Sequence, residues 1–344
     1  MTIRIALDAM GGDHAPEAVI DGAMRVLANR SDVTFTLVGL EEVIQKTLQQ
    51  RGIQSDRLLV HHASEVVAMD EKPAIALRTK KDSSMRVGAN LVKAGEVDAF
   101  VSAGNTGALM ATAKFVLKTL RGIDRPAIAS VMPSTKGETL MLDLGANVDC
   151  SAEHLAQFAL MGNVFANSIL NVENPKVGLL NIGEEDMKGN EVVREAGEVI
   201  RGREQELLPG GKFLGNVEGN DIFLGDVDVV VCDGFVGNIS LKSTEGAAQM
   251  LIHFLREAFS QSIWTKLAYL ICKPALKLFR DRVDPRRYNG AILLGLNGVV
   301  VKSHGSADAY SYSHAIEVAV SLAEKDVNER IRQRVAQVKG DQAA

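Results

Sequence analysis

Cysteine is scarce in this chain: Cys150, Cys232 and Cys272 are the only three in 344 residues, far apart, with no C-x-x-C pair and no histidine at ligand spacing. That excludes a disulfide framework and a zinc site, so no metal is expected. The three read as buried thiols of a reducing compartment. Long apolar runs are also missing, since nothing approaches the roughly 20 residues that span a bilayer. Asp8 and Asp13 interrupt the N-terminus before any signal-peptide profile develops. A cytoplasmic protein is expected. Positive charge is in deficit, with a formal net charge of −5; there is no global attraction to nucleic acid, and no nucleic-acid partner is expected. Nucleotide fingerprints are absent too: no G-x-x-x-x-G-K-[ST], no G-x-G anywhere, and no G-x-S-x-G elbow.

What is present is a folded chain, 46% apolar and 24% charged. Short apolar runs alternate with helix-period segments: 3–7 then 16–29, 33–39 then 40–50, 58–63 then 73–94, 97–104 then 105–119, 177–183 then 189–201, and 227–234 then 238–258. This alternation predicts an α/β fold with a largely parallel sheet covered by helices. Two stretches, 127–150 and 291–305, read as strand pairs and make the sheet mixed. No repeat, low-complexity tract or Pro/Ser-rich linker divides the chain. One α/β unit over 1–344 is expected, with a helical appendage at 250–290.

Ligands of open parallel sheets sit beyond the carboxyl ends of the strands. Four glycine-bearing polar loops follow strands here: DAMGGDH (8–14), SAGNTG (102–107), NIGEEDMKGN (181–190) and CDGFVGN (232–238). Each alone is equally well a tight helix-start turn with an N-cap. Gly104, Asn105, Thr106 and Gly107 stand just before a helix, where free N–H groups and the helix dipole favour an anion. Lys188 sits between the acids Glu184, Glu185 and Asp186 and the Gly189-Asn190 turn, placed either to meet a bound oxyanion or to form a solvated charged turn. Asp233 and Asn238 flank Gly234 and Gly237; they point into a crevice or serve as strand-end acid and N-cap. His14 is a ligand contact or a turn contact. His61, His62, His154, His253 and His304 receive no role.

The stretches IALDAMGGDHAP (5–16), VSAGNTGALMA (101–111), LLNIGEEDMKGNE (179–191) and GDVDVVVCDGFVGNISLKSTEG (225–246) together resemble the phosphate acyltransferases of bacterial phospholipid synthesis. That family makes acyl phosphate from long-chain acyl-[acyl-carrier-protein] and orthophosphate. The resemblance implies a three-layer αβα fold like that of phosphate acetyltransferases and isopropylmalate dehydrogenases, a homodimer, peripheral association with the inner membrane face, and a downstream glycerol-3-phosphate acyltransferase. It implies no cofactor. Lys188 matches the family's essential lysine, and Asp233 and Asn238 match its DGFVGN loop. The expected phosphate and thioester contacts are Asp8, Gly11, Gly12, His14, Gly104–Gly107, Gly183, Gly234 and Gly237. Lys188 would offset oxyanion charge and Asn238 or Asn105 would donate a hydrogen bond. Asp233 would orient Lys188 or His14, or act as a base.

Residues 259–287 interleave Ile263, Trp264, Leu267, Leu270 and Ile271 with Lys266, Lys273, Lys277 and Arg280. Pro274 is expected to split them into a helical hairpin. A basic amphipathic surface of this kind suits an anionic membrane, a dimer contact or the acidic carrier protein. The alternatives to the leading reading are a coenzyme A-dependent phosphate acetyl- or butyryltransferase, an NAD- and metal-dependent decarboxylating dehydrogenase, and a non-catalytic scaffold.

Overall fold

In the first strand Ile5 and Leu7 alternate with Ala6 and Asp8, and all four are buried, so the strand is covered on both faces. The structure, a computed structural model, describes residues 2–341. Its strands are β1 (Ile3–Asp8), β2 (Val33–Gly39), β3 (Leu58–His62), β4 (Ala99–Ser102), β5 (Ala127–Ser134), β6 (Gly137–Leu142), β7 (Lys176–Leu180), β8 (Lys212–Val217), β9 (Val229–Val231), β10 (Ala291–Leu294) and β11 (Val299–Lys302). They form one 11-stranded sheet in the order β3-β2-β1-β4-β11-β10-β5-β6-β9-β7-β8.

The helices are α1 (Glu17–Asn29), α2 (Glu41–Gln50), α3 (Pro73–Thr79), α4 (Ser84–Ala94), α5 (Thr106–Leu117), α6 (Ala152–Ser168), α7 (Glu191–Gly202), α8 (Glu204–Leu207), α9 (Asp221–Leu224), α10 (Gly234–Ser260), α11 (Ile263–Val283), α12 (Ala309–Glu324) and α13 (Val327–Asp341). One core joins the Ile5 and Leu7 face to α1, α6, α7, α12 and α13. The other joins the Ala6 and Phe100 face to α4, α5 and α9, with Leu241 of α10 packed against it. The architecture is therefore the expected αβα sandwich around a mixed sheet, with both expected strand pairs in place as β5–β6 and β10–β11.

Strand direction departs from the simple expectation. From β4 to β7 the sheet takes three antiparallel steps, β11 to β10, β10 to β5 and β5 to β6, and its other steps are parallel. An odd number of reversals leaves β6, β9, β7 and β8 running opposite to β1, β2, β3, β4 and β11. The four glycine loops thus do not meet at one sheet edge within a chain: those at 8–14 and 102–107 leave one edge, those at 181–190 and 232–238 the other. β4 and β7 stand six places apart in the strand order, on the order of 29 Å along the sheet at normal strand spacing.

Two helix expectations also change. The 73–94 segment breaks at Lys80–Ser83, because Ser83 caps α4 by accepting the Arg86 N–H (3.3 Å). In the appendage the turn falls at Gln261–Ser262 and Pro274 lies inside α11. Ser262 and Thr265 form a reciprocal capping box (3.0 and 3.1 Å), which sets the start of α11. Proline removes only one N–H bond from a solvated helix, and the capping signal outweighs it. Cys272 lies exposed on α11 rather than buried; Cys232 is buried and Cys150 half-buried. No helix among the described residues is long and apolar enough to cross a membrane.

Candidate active site

At the carboxyl ends of β1, β4 and β11, three polar side chains stand in a row on one sheet face. Register sets Ser102 beside Lys302, and the Ser102 hydroxyl donates to Asp8 Oδ2 at 2.6 Å. Ser102 Oγ in turn accepts the Gly104 N–H at 3.1 Å. Asp8, Ser102 and Lys302 are 1%, 0% and 8% exposed. Burial lifts the Asp8 carboxyl above its ordinary value, opposed by hydrogen bonds from Ser102, Ser84 and the Met10 N–H and by the charge of Lys302. The same burial lowers the Lys302 ammonium to about 8. Its Nζ donates to the carbonyl oxygens of Ser303 and, at 3.4 Å, Ala103.

The loops above this row are pressed together. A Cβ on Gly11 would lie 2.6 Å from Asp8 Oδ2 and 2.7 Å from Gly104 N; one on Gly12, whose φ is +98°, would lie 2.8 Å from Gly305 O. Glycine is required at both by close approach. The Asp13 N–H donates to Gly305 O at 2.8 Å, tying the first loop to the loop after β11. Gly104 is buried, whereas Thr106 and Gly107 at the start of α5 are exposed. Asn105 is fully used: Oδ1 accepts the Ala108 N–H (3.0 Å) while Nδ2 donates to Met69 O (2.8 Å) and Glu71 O (2.9 Å). It shapes the loop and has no amide hydrogen left for a substrate oxyanion.

The other edge is organised by Asp143. Its Oδ1 accepts N–H groups of Ile128 (2.8 Å), Gly145 (3.3 Å) and Ala146 (3.1 Å), and its Oδ2 accepts the Asn147 N–H (2.7 Å) and Nδ2 (2.9 Å). The loop so held receives α10. Gly234 N donates to Asn147 O (2.7 Å), and a Cβ on Gly237 would fall 1.9 Å from Asp143 O. Asp233 caps α10, its Oδ1 accepting the Phe235 and Val236 N–H groups at 2.9 Å each. Asn238 is exposed beside Gly145.

Lys188 is exposed, and its stem lies along Gly183. Its backbone is fixed by Lys188 N–H to Glu185 O (2.9 Å) and by Asn181 Nδ2 to Lys188 O (3.1 Å). Of the neighbouring acids, Asp186 pairs with Arg201 at 2.8 Å. Since β7 and β9 are parallel neighbours, the Lys188 loop leaves the sheet beside Asp233 and Asn238. Lys242, one turn beyond Asn238 on the same face of α10, comes within electrostatic reach of Lys302. The first turns of α10 thus run from one edge toward the other.

Comparison with known proteins decides the family. The model of the fatty acid synthesis protein family matches residues 3–330. A phosphate acyltransferase of Magnetococcus marinus is 70% identical over 341 residues, 99% of this chain and 97% of that one. One from Nitrosococcus oceani is 56% identical over 332 residues, 96% of each chain. The chain belongs to the phosphate acyltransferase family. Among solved structures, a phosphotransacetylase from Streptococcus pyogenes shares the fold, with a TM-score of 0.63 at 19% identity over 94% of each chain. The EutD phosphotransacetylase from Staphylococcus aureus does likewise, with a TM-score of 0.61 at 18% identity over 94% of each.

In this acyltransferase the structure groups Asp8, Gly11, Gly12 and Gly104 at one edge, with Thr106 and Gly107 following directly. It groups Gly234, Gly237 and Asn238 at the other, with Lys188 and Gly183 on the neighbouring strand's loop. His14 is exposed in the first loop, its side chain without a hydrogen-bond partner among the described residues, while its carbonyl accepts the Ala18 N–H (2.8 Å). Sequence reasoning missed Lys302, Ser102, Ser84 and Asp143. It also passed over His304, which lies in the loop after β11 with Nδ1 2.9 Å from Ser306 Oγ. The available signal for Lys302 was period two: in VVVK it shares the face of Val300, which is buried.

Proposed function

We infer that the enzyme transfers a long-chain acyl group from acyl-[acyl-carrier-protein] to orthophosphate, giving the acyl phosphate that leads toward phosphatidic acid. The observation that carries this reading is the 70% identity to a phosphate acyltransferase along 99% of the chain. The glycine-lined strand ends support it. The backbone N–H groups of Asn105–Gly107, with Gly12, would seat phosphate at the start of α5, while the Gly104 N–H is held by Ser102 Oγ.

A phosphate oxygen attacks the thioester carbonyl carbon, the C–S bond breaks, and the proton of hydrogen phosphate passes to the departing sulfur. No redox step or nucleotide is involved. Lys188 would offset charge on the oxyanion, and Asn238 would donate to it. Asp233 serves chiefly as the cap that aims the first turn of α10. Because Lys188 leaves the edge opposite to Gly104–Gly107, the homodimer reading acquires a specific content: a second copy supplies Lys188 to the phosphate held by the first.

The exposed face of the α10–α11 hairpin carries Trp264 at 76% and Ile271 at 81% exposure, with Ile263, Leu267 and Leu270 beside them. We assign it to an anionic membrane surface, which places the enzyme at the inner membrane face, near the acyltransferase that consumes its product.

The test is direct. Purified enzyme given palmitoyl-carrier protein and labelled orthophosphate should form acyl phosphate, and Lys188→Ala should lose roughly 10²–10³ in rate. Its melting temperature should not change, because the side chain is exposed. Product formation only with acetyl- or butyryl-coenzyme A would replace this reading by the short-chain one.

A further inference from the structure

We propose that Lys302 is the positioning residue of the phosphate seat. From behind the strand ends it holds the carbonyl sides of the loops after β4 and β11 and supplies a fixed positive charge to the dianion bound in front of them. This rests on the acyl-transfer reading above and adds a residue to it.

Among the described residues Lys302 is the one lysine that is buried. An isolated buried ammonium is expensive, and an apolar side chain of similar length would fill the space at no such cost. Its acceptors are the carbonyls of Ala103 and Ser303, the residues that open the two loops. Those loops touch: Gly12 is packed against Ala103 and Gly305, and Gly11 against Gly104. Rotation of the Ala103 carbonyl therefore tilts the Gly104 N–H and, through it, the exposed amides at the start of α5. A charge in this low-dielectric row acts on an anion across the loops more strongly than a solvated one.

The charged groups that face Lys302 come from separate elements. Asp8 of β1 and Asp13 of the first loop favour its ammonium; Lys242 of α10 opposes it. Lys242 is itself paired with Glu245 at 2.7 Å. Two cations that oppose one another from β11 and α10 are both relieved by an anion bound near them.

The experiment is steady-state kinetics of the full-length enzyme with varied inorganic phosphate, alongside calorimetric titration of inorganic phosphate. In the wild type the phosphate KM should rise as pH passes about 8, where the Lys302 ammonium is lost. Lys302→Met should raise the KM and the dissociation constant for phosphate about tenfold, the worth of one modest charge interaction. The KM for acyl carrier protein should not move. Asp8→Asn should shift the wild-type inflection to lower pH, because Asp8 favours the ammonium; a purely structural lysine would produce no such shift. Should Lys302→Met fail to fold, the wild-type and Asp8→Asn profiles decide alone. Turnover with an unaltered phosphate KM in Lys302→Met, or a flat wild-type profile with no Asp8→Asn displacement, overturns this proposal and leaves the acyl-transfer reading intact. If the wild type makes no acyl phosphate, that reading falls, and unequal phosphate binding by wild type and Lys302→Met still upholds a seat while equal binding removes it.

Discussion

Lys302→Met should change how stability depends on pH. The Lys302 ammonium is lowered from the ordinary 10.5 to about 8, so between those values the unfolded chain binds more protons than the folded one. Stability then rises with pH across that window. Below it the burial penalty is fully present, about 3 kcal/mol from the gap between the two values. Between about pH 7 and about pH 9.5 the wild type should recover about 2 kcal/mol of it, whereas methionine has nothing to recover. The absolute stability of the variant is less informative, because Ala103 O and Ser303 O lose a donor at a cost of about 1–3 kcal/mol. The change with pH isolates the charge. Removing the cation also lifts Asp8 further, and an acid raised in the folded state loses stability as pH rises, so any such contribution widens the divergence. Urea unfolding of both proteins at the two pH values measures it, with midpoints compared at fixed m. Parallel stabilities would refute the argument, since Lys302 would then be charged at no cost.

Gly237→Ala should destabilise by more than the usual 1–3 kcal/mol of an overpacked site, because the obstacle 1.9 Å from the new Cβ is the Asp143 backbone carbonyl; thermal melting reads it, and a wild-type melting point would show that α10 does not press on that loop. Leu267→Glu with Ile271→Glu should abolish sedimentation with phosphatidylglycerol vesicles while gel filtration stays unchanged; retained vesicle binding with a lost dimer would assign the hairpin to the subunit contact instead. Lys188→Ala mixed with Gly104→Val, each inactive alone, should regain acyl-phosphate formation after co-refolding, because one site of the mixed dimer carries both intact groups. Absence of any recovery would place Lys188 in the same chain's site or in none.

The alternation of apolar runs and helical segments carried most of the fold, because strand and helix periodicities are local properties of the chain. Both strand pairs were legible, the first from the polar turn at Ser134–Gly137 and the second from the two apolar runs within 291–305. Their consequence was not. That the two parallel halves run in opposite senses follows from which strands become neighbours, β11 beside β4 and β5 beside β10. Those are contacts between residues more than a hundred positions apart, and no local pattern encodes them. Pro274 misled for a related reason: a proline breaks a helix only where the lost N–H bond and ring clash outweigh the rest, and the Ser262–Thr265 box fixed the start of α11 elsewhere.

The site was legible where glycine and polar residues crowd a strand end, and illegible where one polar residue is hidden in an apolar run. Asp8 and Asp143 make the contrast. Both are buried and both are raised by burial, so neither property separates them. Their partners do. Asp143 receives five donors from Ile128, Gly145, Ala146 and Asn147, which fills the four or so lone-pair positions of a carboxylate. It is spent on building the loop under α10 and has nothing to offer a ligand. Asp8 is held by two hydroxyls and one amide, with a buried cation close by. Hydroxyls reorient and a lysine near 8 changes charge within the working range, so this acid belongs to a network that responds to a bound anion. The difference lies in the donors, four of them backbone amides for Asp143 and two of them rotatable O–H groups for Asp8. That is why Asp8→Asn is expected to move a pH profile, while Asp143→Asn, which puts an amide where five donors converge, should simply unfold the loop.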